Sequence, residues 1–98
     1  MSSVRSGRSV DSALRKKGFS RSVDSDHLVY RLFGSNEELF ARTKISHGML
    51  GSTLNADLIS KMAHQLHLTK KEFLDLIDCP MDEEQYRNIL GEKGFAVH

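Results

Sequence analysis

His27-Leu28-Val29-Tyr30-Arg31-Leu32-Phe33 and Leu39-Phe40-Ala41-Arg42-Thr43-Lys44-Ile45-Ser46 decide the fold of this chain. Both runs are rich in aromatic and β-branched residues, which suit a pleated, half-buried surface. Gly34-Ser35-Asn36 between them is a turn signal, and Arg42 and Lys44 stand at alternate positions of the second run. The pattern predicts a β-hairpin with a loop of about five residues, placing His27 opposite position 45 to within a residue. Outward on the N-terminal side, Phe19 begins an extended segment. Before it, Val10 and Leu14 share a helix face, Arg15, Lys16 and Lys17 fill the last turn, and Gly18 is the stop, which predicts a short basic helix. Residues 1–8 show no apolar period and are expected to form a flexible tail. On the C-terminal side, Leu54, Leu58, Met62 and Leu66 recur every fourth residue after a cap at Thr53 or Asn55. Thr69-Lys-Lys-Glu72 matches a capping box before Phe73, Leu76 and Ile77. Pro80 ends that helix, and a further one runs from Asp82 to a stop at Gly91.

The expected fold is therefore α+β: about three antiparallel strands covered on one face by helices, in the order α-β-β-β-α, with extra C-terminal helices over about 69–91. With 98 residues, 39% hydrophobic and 28% charged, the chain suits one globular domain, expected over 9–98. No apolar stretch approaches the ~18 residues of a membrane span, and the N-terminal arginines precede no apolar signal segment. The single cysteine, Cys79, excludes an internal disulfide and fits a cytoplasmic setting.

Charge is unevenly placed. Residues 1–50 carry nine Lys and Arg against five acids, a balance of +4, and residues 51–98 carry five against eight, a balance of −3. A polyanion would meet the N-terminal half, although polarity of this size also arises by chance in small proteins. On the hairpin, His27 and His47 fall at the same end of the ribbon. An imidazole exchanges protons near neutral pH, as RNA cleavage requires when a base takes the 2′-hydroxyl proton and an acid protonates the leaving 5′-oxygen. Arg42 and Lys44 would then hold the phosphate, with Lys16 and Lys17 as further phosphate contacts. The plain alternative is that each histidine ends a strand and bonds backbone. His64 and His67 lack the spacing and glutamate of a zinc site, Cys79 has no basic neighbour to activate it, and no phosphate-binding or nucleophile-elbow motif occurs. Residues 55–77 also read as a helix-turn-helix, with Lys70 and Lys71 toward DNA, but Glu72, Asp75 and Asp78 on the second helix would repel phosphates.

Leu14-Arg-Lys-Lys-Gly-Phe19, the strand opening at His27-Leu-Val-Tyr30, the strand ending at His47 and the helix carrying Leu58-Ile59 together resemble the HicA toxins over roughly residues 10–68. That family is similar in fold to double-stranded-RNA-binding domains. The resemblance implies a ribosome-independent mRNA interferase that works through the strand histidine matched by His27 and is neutralised by a HicB antitoxin; histidine acid/base chemistry itself requires no metal, and no cofactor is expected. The family's Gly-Ser-His is Ser25-Asp26-His27 here, and its proline before the second histidine is Ser46. The expected function is thus RNA binding with endoribonuclease activity, His27 as general base or acid and His47 as its partner. The alternative is a non-catalytic nucleic-acid-binding or protein interaction module.

Overall fold

A computed structural model describes residues 4–34, 37–78 and 80–94. The elements are β1 (Arg5–Ser6), α1 (Gly7–Lys16), β2 (Ser20–Asp24), β3 (His27–Phe33), β4 (Leu39–Ser46), a 3-10 helix (His47–Gly51), β5 (Thr53–Leu54), α2 (Ala56–Gln65), α3 (Lys70–Asp78) and α4 (Glu83–Glu92). Strands β2, β3 and β4 form an antiparallel meander, and β1 pairs with β5 in a separate two-stranded ribbon. The fold is α+β, as the sequence predicts. No helix among the described residues is long and apolar enough to cross a membrane.

Most of the local signals act as physics expects. Gly18 takes φ +97°, Phe19 N–H donates to Leu14 O at 3.0 Å and Gly18 N–H to Arg15 O at 3.3 Å, the two bonds that close a helix through a left-handed residue. Asn55 caps α2 by accepting from Leu58 N–H at 2.9 Å. Thr69 and Glu72 complete their box in both directions, at 3.1 and 2.8 Å. Asp82 and Gln85 do the same at the start of α4, at 2.8 and 2.9 Å. That last helix runs through Gly91 to Glu92, so the stop expected at Gly91 comes later, near Gly94 with φ +95°. Cys79 lies outside the described residues.

The N-terminal segment differs from the expected tail. Arg5 pairs with Leu54 and Ser6 with Thr53, Ser6 Oγ accepts from Ser9 N–H to begin α1 three residues before Val10, and Arg5 bonds both carboxylate oxygens of Asp78 at 2.8 and 2.6 Å. Gly7 makes this possible: an added Cβ would meet the Met49 carbonyl oxygen at 1.8 Å, so only glycine lets α1 start against the 3-10 helix.

The hairpin register is His27 opposite Ser46, one residue from the expected position. The cause is a bulge: Leu32 faces Ala41 while Phe33 faces Leu39, leaving Phe40 as an extra residue on β4. Leu28, Tyr30 and Leu32 on β3 and Ala41, Thr43 and Ile45 on β4 consequently point to the buried face. There they join Val10, Leu14, Ile59, Met62, Phe73, Leu76, Tyr86 and Leu90 in one continuous core. The C-terminal helices are part of that core. Phe19 stacks on Tyr86 with ring centroids 5.8 Å apart, and the Tyr86 hydroxyl donates to Leu66 O at 2.9 Å.

Candidate nucleic-acid site at the end of the hairpin

His27 is placed by its strand. As the first residue of β3 it alternates with buried Leu28 and so belongs to the outer face, half-buried, with Ser46 directly across on β4 and Asp24 across on β2. Where β4 turns into the 3-10 helix and the chain returns as α2, a cleft of about 300 Å³ opens. Its polar lining is His27, Lys44, Ser46, Lys61 and Gln65, and its apolar wall includes Met49, Leu58 and Met62. Gln65 is held by the Thr43 hydroxyl, which donates to Gln65 Oε1 at 2.6 Å and leaves the side-chain amide N–H groups for another partner. The hydrogen bonds and ion pairs among the described residues leave the His27 imidazole and the Lys44 and Lys61 ammonium groups uncommitted. Chemically, the cleft joins a proton-exchanging group to two cations beside an apolar surface.

The sequence-predicted residues separate in space. His27 and Lys44 come together in the cleft. His47, exposed, heads the 3-10 helix next to Ser46; its backbone N–H donates to Asp26 O at 2.7 Å, and its side chain is not among those lining the cleft. Arg42 lies two residues from Lys44 on the outer face, directly opposite Arg31. Lys16 is exposed on α1 in a separate shallow groove with Arg8, Ser12 and Ile77. Lys17 corrects the expectation of a phosphate contact. It is 4% exposed, and its ammonium donates to Leu76 O in the last turn of α3 at 3.1 Å and to Met81 O just beyond that helix.

Sequence reasoning missed Lys61, Gln65 and Arg31. Leu58, Lys61 and Gln65 follow one another at helical spacing along one side of α2, a stripe adjoining the apolar one. Arg31 alternates with Tyr30 and Leu32, so strand periodicity already assigns it to the outer face.

A second polar cluster is structural. Asp11 on α1 accepts from the Tyr30 hydroxyl at 2.7 Å and from Arg21 and Arg15 at 3.0 and 3.4 Å. Burial pushes the Asp11 carboxyl up, but the Tyr30 hydroxyl and the Arg21 and Arg15 guanidiniums outweigh it and hold the group below its ordinary value. Burial, then the hydrogen bond to Asp11, raises the Tyr30 hydroxyl. Among the described residues no three His, Cys, Asp or Glu side chains gather as for a metal ion. No protein-family model, curated protein or solved structure matches the chain.

Proposed function

We propose that this protein binds RNA and cleaves it at His27, as a HicA-like mRNA interferase. The observation that carries the reading is the uncommitted, half-buried His27 imidazole in one cleft with Lys44 and Lys61. In the reaction, neutral His27 accepts the proton of a ribose 2′-hydroxyl, and that oxygen attacks the adjacent phosphorus. The bond to the 5′-oxygen breaks, giving a 2′,3′-cyclic phosphate and, after protonation, a 5′-hydroxyl end. Lys44 and Lys61 stabilise the charge that grows on the phosphoryl oxygens. His47, one residue beyond Ser46, is the candidate to protonate the departing oxygen once substrate closes the cleft mouth. The same reading carries a HicB-like antitoxin as protein partner, for which an adjacent reading frame encoding such a protein is the first sign to look for.

The helix-turn-helix reading is less well supported. α2 and α3 are joined by a tight turn with His67 at φ +64°, as such a motif needs. However, Lys71 is paired with Asp75, Glu72 with Lys93 and Asp78 with Arg5, so of the two cations this reading assigns to DNA only Lys70 is without an ion pair among the described residues, on a helix that also carries three acids.

Wild type and His27→Ala, expressed to equal level in a bacterium without a cognate antitoxin, test the nuclease. Growth arrest and shortened full-length mRNA half-life are expected for wild type alone. With purified protein, removal of the base should slow cleavage by about 10²- to 10⁴-fold. Folded wild type that neither arrests growth nor shortens mRNA would overturn the reading.

A further inference from the structure

The outer face of the three-stranded sheet carries a charge arrangement that packing does not explain. Arg31 and Arg42 are directly opposed across β3 and β4, where like charges repel, and Lys44 follows Arg42 two residues along the same face. No carboxylate among the described residues pairs with any of the three; the salt bridges among those residues join helix residues, Arg5, Lys93 and Arg21 of β2, which alternates to the opposite side of its strand. Arg31 spends one N–H on the Ser22 hydroxyl of β2 at 2.8 Å, which holds its guanidinium over the sheet and leaves further donors unspent. Val29 sits among them on this face and is only 3% exposed, while Arg42 and Lys44 are exposed. Ser20, Ser22 and Asp24, the β2 residues on this face, are exposed as well. One end of the row is Phe33, 38% exposed, and the other is the His27 cleft, which Lys44 also lines.

The geometry points to this open face as a binding track for the phosphate backbone of single-stranded RNA, with Arg31, Arg42 and Lys44 as its cations and the His27 cleft at its end. The inference rests on the RNA-binding half of the proposed function and is independent of the cleavage half. Charge complementarity selects the occupant: an anionic chain laid over the face offsets the mutual repulsion of Arg31, Arg42 and Lys44. The strand from Phe33 to His27 spans roughly 20 Å, a linear row suited to a flexible backbone. An exposed phenyl ring at one end and a one-sided cleft at the other favour unpaired bases, because stacking on a ring needs a free base face.

The test uses His27→Ala as the parent, so that the probe stays intact, and a fluorescein-labelled oligouridylate measured by anisotropy over a salt series. Adding Arg31→Ala and Arg42→Ala should weaken binding and flatten the slope of log affinity against log salt by about 0.7 for each cation removed. Adding Lys71→Ala on α3 instead should leave the slope unchanged. An RNA duplex should bind more weakly than the oligouridylate. Circular dichroism checks that the variants fold, which is expected because neither arginine enters the core. An unchanged slope in the double arginine variant, equal binding of duplex, or no RNA binding by the parent each overturns the track. Cleavage by wild type together with an unchanged arginine slope leaves the nuclease standing and removes the track. A flattened slope with no cleavage by wild type does the reverse.

Discussion

Lys17 shows how much one side chain's destination matters. Three consecutive cations end α1, yet Arg15 bonds Asp11, Lys16 stays in solvent, and Lys17 turns inward to satisfy the carbonyls of Leu76 and Met81. An ammonium with three donors meets two buried carbonyl acceptors. Lys17→Met keeps the stem and removes the donors, so it should cost about 1–3 kcal/mol in urea unfolding. The same substitution should leave the salt slope of the oligouridylate titration unaltered, in contrast to Arg31→Ala with Arg42→Ala. Burial of the ammonium thereby becomes measurable separately from its charge.

At the scale of elements, Asp11 ties α1 to β2 through Arg21 and to β3 through Tyr30. Its carboxyl is held below the ordinary value in the folded protein, so the unfolded chain binds the proton more readily. The stabilisation is complete above about pH 4, the ordinary carboxylate value, and drains away as pH falls through the lower folded value. Asp11→Asn should therefore lower stability at neutral pH and show a shallower acid limb when unfolding is followed by circular dichroism against pH. Interactions of this kind mark where sequence reading stops. The capping box at Thr69 and Glu72, the Asn55 cap and the Gly18 stop were legible because each is settled within a few residues. The hairpin was legible from its strand-forming residues, but its register was not, since the Phe40 bulge leaves no mark in the alternation. His27 and Lys44 could be brought together on paper because strand pairing is regular. Lys61 and Gln65 reach the same cleft only through the packing of α2 beneath β4, and Lys17 meets partners 59 and 64 residues away.

Across the whole molecule the described elements share one hydrophobic core despite the apparent two-part plan. Phe73, Leu76, Ile77, Met81, Tyr86 and Leu90 belong to the same core as the sheet and α1, and Lys93 bonds both His67 O at 2.8 Å and Glu72 at 2.7 Å to hold α4 in place. A chain ending at residue 68 would expose Phe19, Leu14 and Leu66 where those side chains now lie. Large buried aromatics each contribute several kcal/mol, about the size of a small domain's net stability. That truncation should give no folded protein, read as loss of the helical circular dichroism signal, while the full chain unfolds in a single transition seen alike by far-UV and tyrosine signals. The bulge at Phe40 carries a consequence of a different kind. By inserting one residue it sets the parity of everything downstream in β4, sending Ala41, Thr43 and Ile45 inward and Arg42 and Lys44 outward. Deleting Phe40 would therefore only straighten the strand, whereas deleting a residue nearer Ser46 would exchange the oily and cationic sides of β4 over the stretch between the bulge and the gap.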